Sequence, residues 1–192
     1  MLGHYHLWLG GVEHNDISVN NLMYDKLHDR GVLNDYDLAH LVGHPRPGGK
    51  EHTGTIPFMA MDLLTEAARK GDVTRQYCHD CKSFAWVLLW ICCCYHEGKE
   101  IKKPPLSALK TGDYNRCFLQ KYAIFASLSD ISPTESYQDY WEAARQLIMS
   151  VIDLRVLHDQ YPQEKEKEEL ATDVIFKKYA DLLAKKGFPG VL

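Results

Sequence analysis

The sequence predicts a mainly helical α+β domain with a few short hairpin strands. An uninterrupted apolar run from Phe84 to Tyr95 is long enough for a buried helix and too short to span a bilayer. Later segments carry apolar residues at helical spacing: Leu147, Ile148, Val151, Ile152 and Leu154 in one, Leu170, Val174, Tyr179, Leu182 and Leu183 in another. Strand-like pieces are confined to the N-terminal quarter, where Ile17, Leu22-Met23-Tyr24 and Val32-Leu33 flank Asp-, Asn- and Gly-containing turns.

Residues 3–11 read as the last turn of a helix that stops at Gly10-Gly11. His4 and His6 lie on it with no acid or cysteine close in sequence, so they read as surface residues, with a metal pair as the alternative. The next stretch gathers His14, Asp16, Asn21 and Asp35 into a loop, strand, turn and strand. A hairpin of Leu22-Met23-Tyr24 with Val32-Leu33 would return Asp35 beside Asn21. An acid that can orient a hydroxyl, with an amide and a second acid suited to a hard cation, is the set phosphoryl transfer needs. The plainer alternative is that Asp16 and Asn21 are turn residues.

Four motifs run in order. His14-Asn15-Asp16-Ile17-Ser18-Val19-Asn20-Asn21 resembles the H-R-D-x-x-x-x-N catalytic loop, and Asp35-Tyr36-Asp37 resembles D-F-G. Gly54-Thr55-Ile56-Pro57-Phe58-Met59-Ala60-Met61-Asp62 resembles G-T-x-x-(Y/F)-M-A-P-E. Asp80-Cys81-Lys82-Ser83-Phe84-Ala85-Trp86 stands where D-x-W-S-x-G opens a central helix. Their wording is most similar to the fungal-type protein kinase domain family, over about residues 3 to 130.

That resemblance implies a protein-kinase-like large lobe that uses ATP and Mg2+ to phosphorylate a Ser or Thr hydroxyl of a protein substrate. Asp16 would be the base, and Asn21 and Asp35 the metal ligands. His14 would be structural, packing under Tyr36 and bonding to backbone. Thr55 would sit beside Asp16 and help seat the hydroxyl, while Pro57 and Phe58 would shape the floor under a peptide. Asp80 would cap backbone amides of the catalytic loop, and Asp62 would form a structural ion pair, with Arg116 as its partner. Only thirteen residues precede His14, so the glycine-rich loop and strand lysine of a small lobe are expected to be missing, and no nucleotide-binding residue is assigned. The alternatives are a non-catalytic binding module or truncated product, and a small-molecule kinase of the aminoglycoside type. The G-T-x-P-F-M-A wording favours a protein substrate.

Departures from the motifs carry their own expectations. Asn15 replaces an arginine that meets phosphate, which argues against phosphate control of the following segment. Ser18 replaces a lysine, removing a cation near the transferred group. Asp37 replaces a glycine and is either a further metal ligand or a solvated acid.

Residues 38–53 hold two prolines, three glycines and three histidines and read as a mobile loop, with a histidine-cluster metal site as the alternative. Met61 to Lys70 reads as one amphipathic helix ending before Gly71. The central helix is expected to turn Phe84, Val87, Leu88, Ile91 and Cys92 inward, residues 97–113 to be a polar linker, and Tyr114 to Ser127 and Glu135 to His158 to be helices. The chain divides into residues 1–160, a partial kinase-like domain, and 161–192, a charged amphipathic helix with a solvated face or a partner-binding one.

Composition bounds the rest. The chain has 192 residues, a net charge of -4 and 45% hydrophobic residues, which suits one ordinary core and no nucleic-acid partner. The N-terminus lacks a basic start and a long apolar stretch, so no signal peptide and no membrane partner is expected. Cys92, Cys93 and Cys94 are adjacent and cannot build a disulfide framework, which favours a reducing intracellular compartment, cytoplasm or nucleus. Cys78-x-x-Cys81 has zinc-like spacing but no second pair at a suitable distance, so buried thiols are expected. Nothing indicates the oligomeric state.

Overall fold

A computed structural model describes residues 2–45, 53–160 and 168–185, with the backbone alone at 152–160 and 168–171. Helix α1 (Leu2–Leu9) leads through Gly10 and Gly11 into β1 (Val12–Glu13). A loop and a turn of 3-10 helix at Val19–Asn21 follow, then β2 (Leu22–Asp25) and β3 (Arg30–Leu33). These form the expected antiparallel hairpin, with Leu22 opposite Leu33 and Asp25 opposite Arg30. The Asp25 carboxylate closes the bend by accepting from the Leu27 N–H at 3.1 Å. Strand β4 (His40–Leu41) turns back to pair with β1, so the loop expected over residues 38–53 is partly a strand. The rest of that expected loop, residues 46–52, lies outside the described residues.

The single helix expected from Met61 to Lys70 is divided. A 3-10 turn covers Met61–Leu64, and α2 (Glu66–Lys70) begins only after Thr65. Thr65 has extended backbone and its hydroxyl accepts from the Ala68 N–H at 3.2 Å, so it caps a new helix instead of continuing one. Gly71, at φ 79°, closes α2 in the left-handed conformation.

Helix α3 (Tyr77–Cys94) is the centre of the core. Of the residues expected to point inward, Val87 and Cys92 are buried but Phe84, Leu88 and Ile91 are only half-buried, whereas Ala85, Trp86, Leu89, Trp90 and Cys93 are fully inside. Fifteen of its 18 residues are buried, with α5 and α6 against it, so a narrow amphipathic stripe is the wrong template for it. All six cysteines are buried free thiols. Burial pushes the Cys92 and Cys93 thiols up to about 12, which makes them small apolar groups at neutral pH.

Residues 97–113 are more than a linker. A hairpin of β5 (Tyr95–His96) and β6 (Lys99–Glu100) opens the region, and Leu106 and Leu109 are buried. Helices α4 (Tyr114–Ala126) and α5 (Gln138–Gln160) match the expected stretches, α5 after a 3-10 turn at Glu135–Tyr137. Ahead of that turn the Thr134 N–H reaches the Cys92 carbonyl at 2.8 Å, satisfying an acceptor that α3 leaves open at its end.

Helix α6 (Glu168–Lys185) joins the same core through Ile175, Tyr179, Ala180 and Leu183. Val174, expected on that stripe, is 57% exposed, because Ile175 takes the inward position. The side chains of Ile152, Leu154 and Leu170, and residues 161–167 and 186–192, lie outside the described residues. Helix α6 also touches α1: the Tyr5 hydroxyl donates to Asp173 Oδ1 at 2.6 Å, and the Tyr5 ring stacks on Phe176 with centroids 4.1 Å apart. No helix of the described residues is long and apolar enough to cross a membrane.

Candidate functional site

The site begins where β1 ends. Asn15 sits at φ 70°, a conformation asparagine tolerates better than most residues, and its Nδ2 donates to the Leu38 carbonyl at 2.9 Å. The loop carrying Asp16 is thereby tied to the segment after Asp35. Beside it the buried pair Glu13–His40, 3.0 Å apart, joins β1 to β4, and His40 Nε2 reaches the His44 carbonyl at 2.8 Å.

His14 is buried as expected. Its Nδ1 accepts from the Asp16 N–H at 3.2 Å, so the proton is on Nε2, which donates to the Asn34 carbonyl at 3.0 Å. Burial lowers its affinity for a second proton, which keeps the ring neutral. The edge of the His14–Tyr36 pair, with centroids 4.7 Å apart, completes the packing.

Three donors converge on the Asp16 carboxylate. The Thr55 N–H and hydroxyl both reach Oδ1 at 2.7 Å, and Asn21 Nδ2 reaches Oδ2 at 2.9 Å. The same Nδ2 also meets the Asp16 carbonyl at 2.9 Å. Thus the first and third motifs, 39 residues apart, meet at one carboxylate. The Asn34 N–H donates to the Asn21 carbonyl at 2.8 Å, which brings the hairpin back so that Asp35 follows directly. Asp35 is exposed, at φ 60°, and its Oδ1 receives a long contact from the Asp37 N–H at 3.4 Å. Asp37 is solvent-exposed.

Gly54 makes the Thr55 contacts possible. A Cβ built at Gly54 would lie 2.9 Å from the Asn15 carbonyl oxygen, and its φ of 146° is one that side chains rarely adopt. Gly54→Ala is therefore expected to cost about 1–3 kcal/mol and to detach Thr55 from Asp16. Thermal melts would read the first, and the Thr55 amide resonance the second. A variant that melts like wild type and keeps that resonance would contradict this account.

Other expectations are corrected. Phe58 is 7% exposed, with its ring edge-on to Trp90 at 5.7 Å. It anchors its turn in the core, where a large aromatic ring is most favourable, and offers no floor to a peptide. Pro57 stays half-buried at the surface. Asp62 pairs with Lys82 at 2.5 Å, with His79 3.9 Å away, whereas Arg116 is exposed. A lysine buried on this helix needs a carboxylate, and Asp62 is the acid within reach.

Asp80 does not cap the loop. Its oxygens accept from Arg75 Nη2 at 2.5 Å and His4 Nε2 at 2.8 Å, all three residues being buried. His4 is thus a core residue and not a surface one, and Asp80 fastens α3 to the helix that enters the loop. His6 is exposed. Cys78 and Cys81 are buried thiols, and among the described residues no three His, Cys, Asp or Glu gather as a metal-holding group.

No curated protein matches the chain. A family model described as fungal protein kinase matches residues 1–92, the span that holds all four motifs. Over that span, a little under half of its length, the chain is similar to the fungal protein kinase family.

Proposed function

We propose that this chain carries the large lobe of a protein-kinase-like fold and that it moves the γ-phosphate of ATP to a Ser or Thr hydroxyl of a protein. The meeting of Thr55, Asn21 and Asp16 at one carboxylate carries this reading. Three donors fix the orientation of Asp16, and a lone pair of Oδ2 remains for the proton of an incoming hydroxyl. Asp16 is the base. Thr55 lies at the point where that hydroxyl would approach, with Pro57 at the neighbouring surface.

Asn21 and Asp35 fit a hard cation. Asn21 spends its amide N–H group on Asp16, and its Oδ1 has no protein partner among the described residues. Asp35 holds an exposed carboxylate one residue beyond the Asn34–Asn21 bond. Amide and carboxylate oxygens are what Mg2+ accepts from a protein that leaves its other positions to water and phosphate. Bound Mg2+ would neutralise charge on the transferring phosphoryl group.

The test is a Mg2+ titration followed by amide NMR, combined with a transfer assay using γ-labelled ATP and a Ser/Thr-rich acceptor protein. Asn21, Asp35 and their neighbours are expected to shift with Mg2+, and Asp35→Asn to abolish both the shifts and transfer with little change in melting temperature. An Asp35→Asn variant with normal turnover would refute the metal assignment. Mg2+ shifts without any transfer would favour a binding module over an enzyme.

A further inference from the structure

Lys121, on α4, is fully buried. Its Nζ donates to the Met59 carbonyl at 2.5 Å and lies 4.3 Å from the centre of the Trp86 ring. No carboxylate among the described residues bonds it. The Met59 carbonyl belongs to a tight turn in which the Phe58 and Met59 N–H groups return to the Thr55 carbonyl at 2.9 and 3.2 Å. Thr55 is the residue that grips Asp16 twice. One turn earlier on α4, Cys117 Sγ touches the Ile56 carbonyl at 3.6 Å, so α4 supports this turn at two carbonyls. A continuous set of contacts therefore runs from Lys121 through Met59 and Thr55 to Asp16.

We propose that Lys121 is a positioning residue whose protonation state sets how firmly Thr55 holds Asp16. As a neutral amine it has two N–H groups, one on the Met59 carbonyl with the Trp86 ring face beside the nitrogen, and it carries no charge to desolvate. Taking up a proton from water makes it an ammonium with three donors, facing one carbonyl and an indole face in a fully buried position. The turn must then shift to bring in water or a second acceptor, and Thr55 moves with it. The consequence for catalysis rests on the reading of Asp16 as the base; the coupling itself does not.

The surrounding charges agree. Burial lowers the Lys121 amine to about 7, with Cys117 and Asp62 opposing that shift. Asp62 is engaged by Lys82 at 2.5 Å. Burial holds His79 down to about 3 and pushes the Cys117 thiol up, so neither changes charge near neutrality. The folded state binds fewer protons than the unfolded chain between about 7 and the ordinary lysine value of 10.5. By linkage this group makes stability rise with pH through that window.

The experiment follows the Thr55 amide by NMR from about pH 6 to about pH 9 in wild type, Lys121→Gln and Lys121→Met. In wild type the resonance is expected to move with a midpoint near 7. Lys121→Gln, which keeps a donor that does not titrate, is expected to hold the high-pH position throughout. Lys121→Met, with similar bulk and no donor, is expected to displace the resonance at every pH. A filler of space would make the two variants alike, and that result would overturn the proposal. A wild-type Thr55 amide that stays still across the range would overturn it too, even if a variant failed to fold. Neither readout needs turnover, so an absence of phosphotransfer would count against the kinase reading alone.

Discussion

Replacing Asp80 by alanine is expected to lower stability by about 3–5 kcal/mol, the cost of removing one partner of a buried charge pair. Asp80 has 0% exposure and is bonded to Arg75 and His4, and Arg75 Nε finds no partner among the described residues. Without the carboxylate, a guanidinium would be left buried and uncompensated. Burial alone would push the Asp80 carboxyl up, but Arg75 and His4 outweigh it and hold it well below the usual carboxylate range. Its stabilising contribution is therefore complete above the ordinary aspartate range and is lost as pH falls through the depressed native value. Urea melts of Asp80→Ala and of Asp80→Ala with Arg75→Met would check this. The double variant is expected to recover part of the loss, because removing both partners costs less than stranding one. A single variant within about 1 kcal/mol of wild type would refute the account.

Asp16→Asn is expected to reduce phosphotransfer by about 10²–10⁴-fold, the usual contribution of a positioned base. The structure adds a consequence that loss of basicity alone does not predict. With the amide nitrogen in the place of Oδ2, it would face the Asn21 Nδ2 group that now bonds there, donor against donor. With the amide flipped, the nitrogen would instead face the Thr55 N–H. One of the two contacts is lost in either arrangement, at about 1 kcal/mol. Kinetics with matched melts would test both halves. Turnover unchanged from wild type would remove Asp16 from the mechanism.

The site was readable because its geometry is local or motif-bound. Leu22–Tyr24 and Val32–Leu33 alternate around a turn, so their pairing and the return of Asp35 toward Asn21 follow from short-range rules. The apolar run after Phe84 could only be a buried helix. The buried polar pairs were not readable, since each joins residues that only helix packing brings together. Nothing near His4 marks it as the partner of Asp80, 76 positions later, and Lys121 lies in an ordinary polar stretch. One signal was present: Lys82 interrupts a helix otherwise fit for the core, and a cation there demands an acid. Phe58 misled because its motif position suggests contact with substrate, whereas its size favours the core.

The clasp of Tyr5 against Asp173 and Phe176 has a bearing on how the chain is assembled. It joins residues 168 positions apart, so this second hold on α1, beyond the His4–Asp80 bond, forms only after α6 has formed. Contacts this distant in sequence are slow to form, since the entropy of closure must be spent before they return anything.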